Sequence, residues 1–329
     1  MSEEWLIYRG VGEPHDRIDE LPPPPPWRDF DGGPPVEAGP GSEESATAAT
    51  RRLGAHRHAA ELHRPEPEEL EAVNAALYLR RPLLVTGHPG TGKSTLAHAV
   101  AHELKLGRVL RWPVVSRTVL QEGLYRYDAI ARLQDVQLGG APGIGRYIRL
   151  GPLGTALLPT ERPRVLLIDE LDKSDIDLPN DLLNVLEEGE FAIPELERVA
   201  DIEPEVQVLT DDGAKVTVRD GRIRCRAFPF IILTSNGERE FPAALLRRCI
   251  QLKLGPPGEK RLATMVTAHL GEEAARLGAD LIREFLGRAQ TELVAADQLL
   301  NAIYLTHHAA PPTREDLADL LIQRLDRSR

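Results

Sequence analysis

The sequence predicts an α/β fold in which a parallel-sheet core is followed by an all-helical lid domain and preceded by a disordered tail. Three observations support this. Short apolar strands alternate with helical segments within residues 46–254, which is typical of a parallel sheet with helices on both faces. Only helical periodicity follows over residues 255–329. Residues 1–45 are acidic and rich in proline.

Composition limits the classes of protein that the chain can represent. Its 329 residues suffice for about two domains, and 42% apolar with 28% charged residues is typical of soluble globular proteins. No apolar stretch approaches the ~20 residues of a membrane span, and the acidic start MSEEWLIYRG lacks the apolar run of a secretory signal. Cys225 and Cys249 lie far apart, so we expect a reducing, cytoplasmic setting without disulfide or zinc.

The acidic charge is concentrated at the N-terminus. The net charge is −11, of which residues 1–50 contribute −8 through 11 acidic residues and 3 arginines. This balance argues against binding to duplex DNA, which depends on neutralising phosphates. Residues 1–45 also hold 9 of the 27 prolines, including Pro22–Pro26. We expect a disordered or polyproline II tail; a sharper alternative is a docking segment in which Trp5–Tyr8 and Trp27 anchor a partner.

The core elements follow from the apolar pattern. Strands are predicted at 83–86, 109–115, 165–168, 230–234 and 250–254, with helices at 92–104 and 178–188 between them. Helical texture is also predicted from residue 46 to the first strand, broken at Pro65 and Pro67. Residues 195–228 carry Asp-Gly turns between β-branched runs and predict inserted hairpins. Four lid helices are predicted near 257–270, 272–289, 296–308 and 313–326.

A phosphate-binding loop is predicted between the first strand and its helix. GHPGTGKS matches the pattern GxxxxGK[ST] in the strand–loop–helix context that this pattern requires. Its glycines let backbone N–H groups point at phosphate oxygens, Lys93 adds a positive charge and the Ser94 hydroxyl suits Mg²⁺. The predicted nucleotide-binding residues are Gly87, His88, Pro89, Gly90, Thr91, Gly92, Lys93, Ser94 and Thr95.

Polar residues at two other strand ends extend the predicted site. Asp169 is expected to hold Mg²⁺ through water, and Glu170 to polarise a water toward a γ-phosphate, because open α/β sheets bind ligands at the carboxyl ends of strands. The charged stretch LDKSD after them is expected to face solvent or a neighbour. Asn236 follows the strand FIILT and is predicted to contact the water and the γ-phosphate, although SNG is also a common turn sequence.

Arginines in two helices complete the predicted site. Arg248 ends the short helix FPAALLRR and is the first candidate for a finger that reaches a neighbouring subunit, with Arg247 as the fallback. Arg314 lies in the first turn of the helix after PPT, where the helix dipole disfavours a cation unless an anion such as phosphate compensates. Solvated surface arginines are the alternative at both places.

Together these motifs resemble the AAA+ ATPases, which are P-loop NTPases with a helical lid. GHPGTGKS and VLLIDE resemble Walker A and Walker B, TSN resembles sensor 1, and LLRRC and PPTR resemble the finger helix and sensor 2. The stretches LYRYDAIARLQ, YIRLGPLGTAL and DLLNVLEEGEF are similar to the MoxR branch. The resemblance covers residues 46–329. MoxR-like finger helices often have LDRF where this chain has LLRRC, which leaves both Arg247 and Arg248 open.

The resemblance implies an ATP hydrolase with ATP and Mg²⁺ as cofactors. The residues so implied are Ser94 and Asp169 for the metal, and Glu170, Asn236, Arg248 and Arg314 for hydrolysis. It implies a homo-oligomer, most often a hexameric ring, because a finger that acts in trans requires a neighbour. It also implies chaperone-like remodelling of a client protein, which in MoxR relatives often carries a von Willebrand A domain.

Two other classes stay open at this stage. An NTP-driven nucleic-acid motor of the restriction or helicase type is kept open by the basic hairpin RDGRIRCR at 219–226, and stimulation of ATP hydrolysis by DNA alone would favour it. A P-loop kinase of small molecules would need neither LLRRC nor the C-terminal helices, and phosphate transfer by a strict monomer would favour it.

Overall fold

The computed structural model describes residues 3–36, 63–140, 142–289 and 296–308. Strands and helices are numbered here in chain order. The central strands are β1 (Leu83–Thr86), β2 (Leu110–Pro113), β5 (Val165–Asp169), β10 (Phe230–Ser235) and β11 (Ile250–Lys253). They form a fully parallel sheet in the spatial order β11-β1-β10-β5-β2. The predicted parallel core is confirmed, and β2 is shorter at both ends than the predicted strand.

The sheet is buried on both faces because its inner strands are continuous apolar runs. In β5, Leu167 packs on one side with α1 (Pro67–Leu79) and α2 (Lys93–Glu103). Leu166 faces the other side and packs with α6 (Asp177–Glu188). The helix α6 buries Leu178, Leu182, Val185 and Leu186, which share one helical face, and ends at Gly189 in the left-handed conformation.

A second sheet is inserted beside this core. Its strands are β3 (Tyr125–Tyr127), β4 (Ile148–Leu150), β6 (Glu190–Ala192), β7 (Glu205–Leu209), β8 (Lys215–Arg219) and β9 (Arg222–Arg224). They are arranged in the order β3-β4-β7-β8-β9-β6, and β7, β8 and β9 are antiparallel neighbours. This confirms the predicted hairpins. The short helices are α3 (Leu120–Leu124), α4 (Ala129–Gln137), α5 (Pro152–Ala156), α7 (Pro194–Glu197) and α8 (Ala243–Leu246).

The C-terminal helices have a core of their own. They are α9 (Glu259–Leu270), α10 (Glu272–Leu277), α11 (Ala279–Ala289) and α12 (Ala296–His308). Leu262, Phe285 and Ile303 pack together at the centre of this unit and are at most 2% exposed. The helices predicted before residue 63 and at 313–326 lie outside the described residues. Within the described ranges no helix combines the length and apolarity that crossing a membrane requires.

The N-terminal residues 3–36, here named the strap, lie against the core. The prediction of a disordered tail is wrong for them, while residues 1–2 and 37–45 of that predicted tail lie outside the described part. Ile7, Tyr8 and Ile18 are at most 5% exposed and join the apolar cluster of α1 and α2. The many acidic residues and prolines around these three side chains dominate the composition of the segment, and the composition therefore predicts disorder. Trp5 also packs edge-on against Tyr78 within the chain, whereas Trp27 is 73% exposed.

Two buried polar side chains hold the strap. The Asn74 carbonyl oxygen accepts the N–H groups of Ile7 and Tyr8 at 2.8 and 3.0 Å, and its amide donates to the Tyr8 carbonyl at 2.8 Å. The Glu103 carboxylate accepts the N–H groups of Arg9 and Gly10 at 2.7 and 3.0 Å. Backbone N–H and C=O groups of the strap thus form hydrogen bonds with side chains of α1 and α2. A strand added to a sheet would form such bonds with the backbone of the edge strand.

We expect Asn74→Ala to lower the free energy of unfolding by roughly 2–3 kcal/mol, because buried backbone groups of the strap lose their partners. Thermal unfolding measures the stability, and trypsin cleavage after Arg9 or Arg17 measures release of the strap. Glu71→Ala, on the exposed face of α1, is the matched control. Equal melting temperatures and cleavage rates for the two variants would contradict this role of Asn74.

Candidate active site

The loop between β1 and α2 is a glycine-rich turn that leads directly into a helix, as the sequence predicts. Gly90 and Gly92 have φ of 77° and 87°, which residues with a side chain rarely adopt. Gly92 caps α2, so the N–H groups of the first helical turn point into the loop. The Lys93 ammonium donates to the carbonyls of Gly87 and His88 at 2.7 and 2.8 Å. Burial lowers the pKa of Lys93, and the carboxylates of Asp172 and Asp169 oppose that change.

Asp169 is the point at which three strands and the loop helix meet. Its Oδ1 accepts hydrogen bonds from the Ser94 hydroxyl at 2.9 Å and the Thr234 hydroxyl at 2.8 Å. Its Oδ2 accepts one from the Arg111 guanidinium at 2.6 Å. Burial alone would raise the pKa of Asp169, but the hydrogen bonds from Arg111, Thr234 and Ser94 outweigh it and the pKa lies below its usual value. The carboxylate is therefore ionised at neutral pH.

Glu170 has a conformation that few side-chain-bearing residues adopt. Its φ is 62°, in the left-handed region, and its N–H donates to the Thr234 hydroxyl at 2.9 Å. Such strain persists only where the surroundings impose it, and here the adjacent strand imposes it. The turn directs the carboxylate toward the cavity, where it forms an ion pair with Lys173 at 2.8 Å and remains 43% exposed.

Asn236 lies at the end of β10 and lines the same cavity as Glu170. Its N–H and that of Glu238 donate to Asp172 Oδ2 at 2.9 and 3.1 Å. Asp172 is 2% exposed, so the expectation that the LDKSD stretch faces solvent or a neighbour is wrong for this residue. Its carboxylate instead fixes the backbone that presents Asn236, because buried carboxylates are retained only with such partners.

These residues surround a cavity of about 520 Å³. The predicted residues that line it are Pro89, Gly90, Gly92, Lys93, Ser94, Thr95, Asp169, Glu170 and Asn236. Met265, His269 and Leu300 of the lid helices also line it. Of the remaining loop residues, Gly87 and His88 accept the Lys93 hydrogen bonds, and Thr91 is buried with its hydroxyl on the His88 carbonyl at 2.9 Å.

Arg261, in the first turn of α9, connects the lid to the loop. It forms an ion pair with the buried Glu69 and donates to the Thr91 carbonyl at 3.2 Å. Burial raises the pKa of Glu69, but the contacts with His63 and Arg261 lower it by more than burial raises it. The pKa therefore lies below its usual value. A neighbouring cavity of about 390 Å³ lies between the lid and the segment before α1, and its lining includes His63 and Met265.

The finger candidates lie away from this cavity. Arg248 forms an ion pair with Glu187 at 2.5 Å and is partly exposed, and Arg247 is exposed. Neither side chain lines the cavity of its own chain. Arg314 lies outside the described residues.

The oxygen donors fit Mg²⁺. Ser94 Oγ and Asp169 Oδ1 lie 2.9 Å apart, and both are the hard oxygen ligands that Mg²⁺ prefers. The described ranges contain no group of three or more His, Cys, Asp or Glu residues that could hold a metal ion by themselves. One carboxylate and one hydroxyl suit a Mg²⁺ that completes its coordination with phosphate and water.

Comparison with models of protein families shows to which family the chain belongs. The model for the AAA domain (dynein-related subfamily) matches residues 82–249, which is just over half of the chain. The chain belongs to this AAA family. No curated protein matches it at a significant level. The matched AAA domain spans β1 to the end of the α8 segment and so contains the phosphate loop, Asp169, Glu170, Asn236 and Arg248. AAA domains of this kind are ATPases that bind ATP and Mg²⁺, and they commonly assemble into rings.

Sequence reasoning missed three residues of the AAA site: Arg111, Asp172 and Thr234. Arg111 and Thr234 are strand residues beside β5, and their side chains reach Asp169 only because the strand order is β10-β5-β2. A motif search along the chain gives no strand order. Thr234 had one available signal, since a hydroxyl stands in the otherwise apolar run FIILT.

Lys93→Ala is expected to weaken binding of ATP with Mg²⁺ by roughly tenfold to a hundredfold, because a charge-assisted contact to phosphate is lost. Isothermal titration calorimetry measures the affinity. Lys105→Ala is the matched control, since Lys105 is exposed and pairs with Asp16 away from the cavity. ATP affinity within twofold of the unsubstituted chain would refute the phosphate-binding role of Lys93.

Proposed function

We propose that the chain is a MoxR-like AAA+ ATPase that hydrolyses ATP between the subunits of a ring, most often a hexamer, to remodel or activate a partner protein. The observation that carries this proposal is the separation, within one chain, of the Glu170 cavity from the arginines that would complete it. The branch assignment rests on the sequence stretches 124–134, 147–157 and 181–191. Cytoplasmic localisation is part of the same proposal.

The residues of the cavity have complementary roles in this proposal. The loop N–H groups and Lys93 bind the phosphates, and Ser94 and Asp169 would hold Mg²⁺, which would neutralise phosphate charge. Glu170 accepts a proton from the water that attacks the γ-phosphorus, and Asn236 orients that water. The bond from the γ-phosphorus to the bridging oxygen breaks, and ADP leaves with that oxygen.

The geometry of α6 supports a finger that acts in trans. This helix begins seven residues after Glu170 and carries Glu187 near its other end. Twelve residues of α-helix are about 18 Å long. Arg248 pairs with Glu187 and precedes the start of β11, whereas Glu170 follows the end of β5. Because the sheet is parallel, Arg248 and its own Glu170 lie at opposite edges of it. A guanidinium there serves the site of a neighbour, which requires a closed ring or a filament.

The helix α4 supports a protein client. Its polar side is used inside the chain: Tyr147 donates to Asp135 at 2.7 Å, and Arg132 donates to Tyr127 at 3.0 Å. Its apolar side faces outward, with Ile130 and Leu133 71% and 59% exposed. Exposed apolar side chains on one helix face are typical of protein–protein contacts. They contribute nothing to binding a polyanion such as a nucleic acid.

The ion pairs of the hairpin β8–β9 count against the alternative of a nucleic-acid motor. Arg219 and Arg222 each pair with a glutamate at 3.0 Å, and Arg224 pairs with Glu190 across the strands. The basic stretch that kept this alternative open is thereby largely neutralised. A surface neutralised by its own carboxylates releases few counterions from a nucleic acid.

Hydrolysis in trans is tested by mixing two inactive variants. Glu170→Gln is expected to bind ATP and lose roughly 10²-fold or more in turnover, since general-base help is lost. Arg248→Ala is expected to lose at least as much, because a finger contributes roughly 10³-fold or more. Mixed rings contain some sites with both groups and regain activity. Arg247→Ala distinguishes the two finger candidates and should keep its turnover if Arg248 is the finger. Absence of rescue at every mixing ratio would refute the trans arrangement.

The client is tested with Glu170→Gln held in the ATP state. This variant is expected to retain a protein partner in affinity purification, first candidates being proteins with a von Willebrand A domain. Ile130→Ser combined with Leu133→Ser should abolish that retention and leave ATP affinity unchanged, because both side chains lie outside the cavity. Gln137→Ser is the matched control on the same helix. Stimulation of turnover by DNA without any protein would favour the nucleic-acid motor instead.

A further inference from the structure

We infer that Glu187 is a positioning residue for the arginine finger, and that the strap holds it in place through Arg28. This inference rests on the proposed function of Arg248. It assigns a role to the glutamate near the end of α6, which touches no cavity residue of its own chain in the described contacts.

Glu187 holds one edge of the Arg248 guanidinium. Its Oε1 accepts the Arg248 Nε–H at 2.5 Å, and the Ala244 carbonyl accepts Nη1 at 3.2 Å. These two contacts fix the plane of the guanidinium, because they hold two of its three nitrogens. A guanidinium held by Nε can still donate from its Nη groups to a phosphate. Positioning by Glu187 is therefore compatible with the finger role.

The pair contributes little to folding stability. The Glu187 and Arg248 side chains are 42% and 39% exposed, and ion pairs this exposed to water contribute little to the free energy of unfolding. The consequence of the pair is therefore geometric: it restricts a long side chain that would otherwise sample many rotamers. For a group that must reach a phosphate on another subunit, such preorganisation raises the fraction of productive orientations.

Arg28 of the strap fixes the other side of Glu187. It is 6% exposed, donates from Nη1 to the carbonyls of Leu186 and Glu187 at 2.9 and 3.3 Å, and lies 3.8 Å from the Glu187 carboxylate. These carbonyls belong to the last turn of α6, where the helix has no partners of its own for them. The Arg28 guanidinium stacks over the rings of Phe30 and Phe228 at 4.9 and 4.4 Å. The finger is thus connected to the strap by two successive contacts.

The test is turnover of Glu187→Ala, alone and mixed with Glu170→Gln subunits. Alone, it should lose roughly tenfold in kcat with little change in KM, which is less than the loss in Arg248→Ala. Glu187→Gln keeps an acceptor for Nε and should lose less. Glu188→Ala, its exposed neighbour, is the matched control, and melting temperatures confirm folding.

The mixture distinguishes positioning of the finger from a general structural defect. A Glu170→Gln subunit has an inactive site but an intact finger, so adding it should raise the turnover per Glu187→Ala subunit. A proportional fall on mixing would place the defect in the Glu187→Ala subunit's own site and overturn the inference. Turnover of Glu187→Ala equal to or above that of Glu188→Ala would also overturn it. Full activity of Arg248→Ala would instead refute the proposed finger itself.

Discussion

The buried carboxylate of Asp169 is the constraint on which the rest of the structure depends. Its two oxygens accept hydrogen bonds from Ser94 at the phosphate loop and from Thr234 and Arg111 on the flanking strands. An ionised group removed from water must find such donors. The strand β5 therefore cannot shift against its neighbours or the loop without losing these hydrogen bonds. This one carboxylate fixes the relative positions of the strand ends from which the whole cavity is built.

The parts of the molecule that were predictable from the sequence are those that depend on residues close together in the chain. The phosphate loop, the strand ends at Asp169 and Asn236 and the inserted hairpins each depend on local pattern, and the structure has them where they were predicted. The family match confirms the class. Thr234 and Arg111 were not predictable, because their contact with Asp169 depends on which strands are neighbours in space.

The strap was missed for a related reason. Its composition is that of a disordered segment, yet two contacts with distant side chains, Asn74 and Glu103, replace the sheet or helix that such a segment lacks. Composition averages over a segment, whereas burial of Ile7 and Tyr8 depends on a matching groove elsewhere in the chain. Segments of this kind need a three-dimensional partner before their order can be recognised. The same strap then supplies Arg28 to the end of α6.

The position of the strap matters for the choice of fragments in future work. A fragment cut at residues 82 and 249, the limits of the family match, would contain the Walker motifs and would look complete by sequence. It would lack Asn74 altogether and would leave the carboxylate of Glu103, 1% exposed in the whole chain, without the backbone donors that solvate it. Poor solubility or weak turnover of such a minimal fragment would reflect where it was cut, and would say little about the enzyme.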